Sequence, residues 1–146
     1  MISPFDEVLR NLQNSKPKET IENVIHLNTG NILRMVKNRL RYGQSINGGI
    51  IGRYRSIEYA LDKNRQNPLA GLGNVDLFLT GALQDDLTIT KENNLFKIYS
   101  TDEKYTELAN KYGADQFGLT NEQLNEFLIE VYIVSLETII NKIYGK

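Results

Sequence analysis

The chain has no cysteine and a single histidine, His26. Without thiols there can be no disulfide staple, no thiolate zinc site and no cysteine nucleophile, a usage that suits an intracellular protein or one built into a particle. One histidine is too few for a zinc site, which takes three or more His, Cys or carboxylate ligands. His26, set between Ile25 and Leu27 on a helical stretch, reads as a surface or boundary residue. A serine or threonine triad would have only His26 as its base, and no Gly-x-Ser-x-Gly elbow is present. No Asp-x-Asp-x-Asp-Gly calcium loop occurs. No apolar run approaches the roughly 20 residues needed to span a bilayer. Met1–Asp6 lacks the basic start and apolar middle of a secretory signal, so none is expected there.

What remains is ordinary for a globular protein. The 146 residues are 40% apolar and 24% charged, enough for one domain with a real core. The patterning predicts a single α+β domain over 1–146, with long N- and C-terminal helices packed with a small antiparallel β-hairpin. Its regions are N-terminal helices (1–45), a loop and hairpin region (46–100) and C-terminal helices (101–146). Ser3-Pro4-Phe5-Asp6 has the cap, the N1 proline and the first-turn acid of a helix start. Lys18 to about Tyr42 keeps helical spacing through Ile21, Val24, Ile25, Ile32, Met35, Val36 and Leu40, with a kink or break expected at Asn28-Thr29-Gly30.

Gly43, Gly48, Gly49 and Gly52 mark a flexible loop or hairpin tip. Tyr54 to Leu61 suggests a short amphipathic helix, which Asn67-Pro68 ends because a residue before proline avoids helical angles. Val75–Leu79 fits either a short strand or one helical turn. Leu87 and Ile89, then Phe96 and Ile98, alternate with polar neighbours across Lys91-Glu92-Asn93-Asn94, which predicts a hairpin with one face inward. Ser100 with Glu103, and Thr120 with Gln123, have capping-box spacing, and Gly113 stands where a helix-ending glycine belongs. The last helix carries Leu124, Phe127, Leu128, Val131, Tyr132, Leu136, Ile139 and Ile143 on one stripe. It is read either as the main core helix or as partly partner-facing.

Charge is split along the chain. Residues 1–73 hold 11 Lys/Arg and 6 Asp/Glu, whereas residues 74–146 hold 6 and 12. Such a bipolar chain can pair head to tail with its own copies or offer one face to a polyanion. The basic excess concentrates in Arg34, Lys37, Arg39, Arg41, Arg53, Arg55, Lys63 and Arg65, with Tyr42, Tyr54 and Tyr59 interleaved. Three readings stay open for it: a nucleic-acid backbone site with stacking tyrosines, a subunit interface, or a solvated helix face. Two glycine clusters, 48–52 and 71–73, lack the lysine and the strand–helix context of a phosphate loop. Asp85-Asp86, taken as strand neighbours on opposite faces, reads as hairpin-edge charge rather than an acid/base pair.

The order of features carries a further signal. Gly52-x-Tyr54 is followed by Tyr59-Ala60-x-x-Lys63 and a loop with Pro68. Then come Asp76-Leu77-x-Leu79-Thr80-Gly81-x-Leu83, the hairpin, and Tyr105-x-x-x-Ala109-x-x-x-Gly113. Over roughly residues 48–115 this order resembles the virion morphogenesis and tail-completion proteins of tailed phages, the small head–tail connector or neck proteins. The resemblance implies a non-enzymatic ring or collar subunit of the virion, assembled in the bacterial host cytoplasm. Its partners would be copies of itself and other virion proteins such as the portal or tail tube, with DNA passing through the lumen. Tyr54, Lys63, Leu79, Thr80, Gly81 and Leu83 would be structural motif residues. No catalytic residue, cofactor, metal, membrane or small-molecule substrate is expected. The competing expectation is a nucleic-acid-binding accessory protein using the basic 34–65 stretch.

Overall fold

The computed structural model describes Glu22 and residues 25–78, 82–93 and 95–144. They fall into two compact units, Gly30–Asn121 and the two chain ends, Met1–Thr29 with Glu122–Lys146. Among the described residues there are five α-helices and one two-stranded antiparallel sheet, an α+β arrangement as the patterning predicts. The finer expectation of long N- and C-terminal helices packed with the hairpin is not supported. Most of its N-terminal helices lie outside the described residues, and the unit formed by the chain ends is not the one that holds the hairpin.

Helix α1 (Thr29–Arg41) buries Ile32, Val36 and Leu40, residues spaced by four that share one face. The expected break occurs as a turn at Asn28. There the Thr29 hydroxyl donates to the Ile25 carbonyl at 3.0 Å and the His26 carbonyl at 3.1 Å, a side chain competing with the helix for its own acceptors. At the other end of α1, the Gln44 amide donates to the Arg39 carbonyl (3.1 Å) and the Gly43 amide to the Leu40 carbonyl (2.9 Å). That is a Schellman ending with Gly43 at the left-handed position, φ +67°.

The glycine loop that follows is pinned as a small hairpin. Gln44 bridges Ile50, and the Ser45 amide donates to the Gly49 carbonyl at 2.7 Å. Next, 52–54 runs antiparallel to 73–75: the Tyr54 amide donates to Gly73 and the Val75 amide to Gly52, both at 2.9 Å. Between them lie α2 (Ile57–Gln66), capped by the Ser56 hydroxyl, and a 3-10 turn over Pro68–Ala70. Helix α2 buries Ala60 and Lys63, while Ile57, Tyr59 and Leu61 stay exposed. The face turned inward is therefore not its apolar one. Val75–Phe78 forms neither a strand nor a helical turn. Asp76 accepts from the Phe78 amide (3.0 Å), and buried Leu77 takes φ +47°, so the segment is a side-chain-stabilised turn.

Helix α3 (Ala82–Asp85) buries Leu83 and leads into β1 (Leu87–Glu92) and β2 (Leu95–Ser100). Leu87 pairs with Ser100 and Glu92 with Leu95, leaving a two-residue connection at 93–94. Leu87 and Ser100, at the base, are buried; Leu95 and Phe96, near the tip, are exposed. Leu87 is buried and Ile98 packs against the core, whereas Phe96 is exposed, so the expected inward face holds from the base as far as Ile98. Asp85 and Asp86 are not strand residues: Asp85 ends α3 and Asp86 is a turn. Asp86 accepts from the Thr101 hydroxyl (2.5 Å), the Thr101 amide (2.6 Å) and the Ser100 hydroxyl (3.1 Å), closing the hairpin's base. Those bonds, Thr101's first, hold its carboxyl below the ordinary 3.8.

Helix α4 (Glu103–Tyr112) is capped by Asp102, which accepts from the Lys104 amide at 2.9 Å. Ser100 is the last strand residue and not the expected cap. Gly113 ends α4 at φ +100°, as its position suggests, and a 3-10 turn over Ala114–Phe117 follows. The core of this unit is Val36, Leu40, Val75, Leu77, Leu83, Leu87 and Phe117, with Tyr105, Leu108, Ala109 and Tyr112 of α4 packed against it. In the other unit, α5 (Asn121–Tyr144) buries Phe127 and exposes Ile129, Ile133 and Tyr144.

Two outcomes are expected. A Cβ on Gly43 would meet the Val75 carbonyl oxygen at 2.9 Å at a left-handed φ. Gly43→Ala should therefore cost about 1–2 kcal/mol, read as a lower urea midpoint at unchanged slope. Because the Asp86 carboxyl is held low, its stabilisation is present above the ordinary value and is lost as pH falls through the folded one. Asp86→Ala should be the less stable protein in neutral urea titrations, and the gap should narrow in titrations run well below pH 3.8.

Candidate functional site

Tyr54, Lys63 and Asp76, from three successive segments, meet inside the Gly30–Asn121 unit. Lys63 Nζ lies 2.8 Å from Asp76 Oδ1, and the two side chains are 5% and 2% exposed. The Lys63 ammonium also donates to the Phe78 carbonyl. Asp76 Oδ1 accepts from the Tyr54 hydroxyl (3.1 Å) and the Phe78 amide (3.0 Å), and Oδ2 accepts from Asn67 Nδ2 (2.9 Å). Asn67 Nδ2 donates in turn to the Arg41 carbonyl at 2.7 Å, fixing the end of α1. Four donors meet the Asp76 carboxylate, three at Oδ1 and one at Oδ2. Burial first, and then the charge of Asp76, push the Tyr54 phenol well above the usual tyrosine range, so it stays protonated and donating.

A second buried polar cluster closes the far side of α1. Arg39 is buried and donates to the carbonyls of Gln44 (2.8 Å), Gly118 (2.9 Å) and Gln116. Gln116 accepts from the Ile46 amide at 3.0 Å and donates to the Ser45 hydroxyl at 3.3 Å. Burial lowers the Arg39 pKa, partly offset by Asp115.

Above the Lys63–Asp76 pair opens a cleft of about 760 Å³, with Val75, Leu77, Leu108 and Tyr112 among its apolar lining. Arg53 and Arg55 border it from the segment before α2, and Lys104, Glu107 and Lys111 from α4. Tyr54 and Tyr59 also line it, their rings edge to face at 4.9 Å.

The basic 34–65 stretch is thus not one surface. Arg39 and Lys63 are internal: Arg39 donates to three backbone carbonyls, and Lys63 pairs with the buried Asp76 carboxylate. Arg34 donates to Asn31 (3.0 Å) and Arg65 pairs with Asp62 (3.2 Å) on exposed helix faces. Lys37 is half-buried on α1, and the Arg41 guanidinium lies 5.4 Å from the Phe78 ring centroid. Besides the buried Lys63, Arg53 and Arg55 are the members of that set that line the cleft. Their companions Lys104 and Lys111 come from the acidic half of the sequence, and the seven-residue spacing that puts both on one face of α4 was the available signal. Leu83 is a core residue, while Leu79, Thr80 and Gly81 lie outside the described residues. His26 is exposed, and among the described residues no group of three or more His, Cys, Asp or Glu could hold a metal ion.

No family model, curated protein or solved structure matches this chain.

Removing one partner of a buried pair strands the other charge. Lys63→Met should destabilise by about 3–5 kcal/mol, and adding Asp76→Leu should restore part of that loss. Urea unfolding of the two single variants and the double variant checks this cycle; an unchanged midpoint for Lys63→Met would remove the pair from its structural role.

Proposed function

We propose that the chain is a structural subunit of a tailed-phage virion, of the head–tail connector, neck or tail-completion type, which assembles into a ring and has no catalytic role. The observation that carries this reading is how the motif residues are used. Tyr54, Lys63 and Asp76 of the connector-like order are spent on one internal network, Gly52 pairs with Val75 through the backbone, and Leu83 and Ala109 belong to the core or pack on it. A motif of this kind preserves a scaffold, which is what an assembly subunit needs to keep.

The surface of α5 supports the same reading. Glu122, Glu126, Ile129, Glu130, Ile133 and Glu137 are all exposed and recur at helical spacing. Ile129 and Ile133, 58% and 50% exposed, form an apolar seam with acidic flanks. That composition suits burial against a neighbouring subunit with a basic surface, and heterologous contacts of this kind close into rings when the rotation allows. Partnership with portal or tail-tube proteins, DNA in the lumen, and residence in the virion belong to the same proposal.

Native mass measurement of the purified protein, with mass analysis of virions, tests the reading. A discrete oligomer that Ile129→Asp/Ile133→Asp dissociates is expected. A strict monomer absent from every particle overturns it.

A further inference from the structure

The rim of the cleft carries charge that the molecule itself does not neutralise. Arg53, Arg55, Lys104 and Lys111 are all exposed, and none forms an ion pair among the described residues. Lys111 Nζ sits 5.2 Å from the Tyr112 ring centroid, a contact that leaves its charge uncompensated by any carboxylate. Two carboxylates line the same cleft, and one of them, Asp76, is matched by Lys63 at 2.8 Å. Four cations therefore face one unmatched glutamate, Glu107, in a cleft also lined by Val75, Leu77, Leu108 and Tyr112. Low-dielectric walls lined by one sign of charge focus the field and concentrate anions.

The aromatic lining narrows the class of anion. Tyr59 is 45% exposed at the cleft and is braced edge-on by Tyr54, whose own hydroxyl is held by Asp76. A braced, half-exposed ring beside two arginines and two lysines is the pairing that tracks a phosphate backbone while stacking a base. A base can reach a ring inside a concavity only when it is unpaired, which favours a single strand over a duplex.

We propose that this cleft binds a single nucleic-acid strand, with Arg53, Arg55, Lys104 and Lys111 on successive phosphates and Tyr59 against a base. The site goes beyond the connector reading and needs no ring: it lies within one unit of one chain. It also differs from the basic 34–65 stretch, since Arg34, Lys37 and Arg65 stand outside the cleft and Lys104 and Lys111 are part of it.

Fluorescence anisotropy of the full chain with labelled oligo-dT, and with a duplex of equal length, tests the proposal. Four phosphate contacts predict a log–log salt slope of about −3, or roughly 50-fold weaker binding at about 200 mM than at about 50 mM salt. Arg55→Glu/Lys104→Glu should weaken binding at least about tenfold. Tyr59→Ala should weaken it about fivefold or more, whereas Arg34→Glu/Arg65→Glu should leave it near the parent value. These side chains are exposed, so unchanged thermal unfolding is expected for each variant and is measured alongside. No binding at low salt overturns the proposal, as does a preference for duplex or equal competition by polyglutamate. Equal loss in the Arg34/Arg65 variant overturns the location. If Arg55→Glu/Lys104→Glu dissociates an oligomer and leaves oligo-dT binding intact, the cleft belongs to a neighbouring subunit instead. Because the ring is judged by mass and the cleft by strand binding, either reading can fail without the other.

Discussion

The buried pair of Lys63 and Asp76 is the interaction on which the Gly30–Asn121 unit depends. Moving either charge out of water alone would cost several kcal/mol, and here each partner makes further hydrogen bonds beside the pair. Satisfying Asp76 takes Tyr54 from one extended segment, Asn67 from the end of α2 and the backbone of Phe78. Asn67 adds the Arg41 carbonyl at the end of α1. One carboxylate thereby sets the relative placement of four segments, and the positive φ at Leu77 is the local strain that accompanies it. The cleft inherits its floor from this network, which is why its rim can be charged without collapsing.

Arg39 does comparable work at the other side of α1. Its fork of donors holds the glycine loop and the turn at 116–118 through three carbonyls, a geometry that lysine's point charge would not reproduce. The buried cations Arg39 and Lys63 thus serve the fold, whereas the exposed Arg53, Arg55, Lys104 and Lys111 form no ion pair among the described residues. That division matters for function more than net charge does. The chain is almost neutral overall, yet one cleft carries a local positive excess and one helix a row of glutamates. These two surfaces belong to different units, so variants can address them separately.

Much of the fold was legible in local chemistry. The alternation at 87–99 marks the hairpin, Asn67-Pro68 ends α2, Gly113 ends α4, and the break near Asn28 follows from three poor helix formers in a row. The errors came from local rules that a neighbour overrode. Ser100 fits a capping box, but strand pairing with Leu87 claims it, and Asp102 caps the helix instead. Asp85-Asp86 looks like a strand start, but Asp86 is drawn out of it by the Thr101 hydroxyl and amide. Val75–Phe78 fits a short strand or one helical turn, but the Asp76 carboxylate accepts from the Phe78 amide and makes the segment a turn instead.

By itself, the sequence determined the class of elements, the absence of thiol chemistry, and a polarity of charge suited to assembly or polyanions. Periodicity, caps and glycines act over a few residues, so a linear reading captures them. Which cations are inside and which outside was decided only by the tertiary structure. Arg39 and Arg53 are alike in the linear basic run, and what separates them is whether carbonyls or an acid from distant segments arrive at the same point. The cleft, with two cations from the basic half and two from the acidic half, exists only where those distant segments meet.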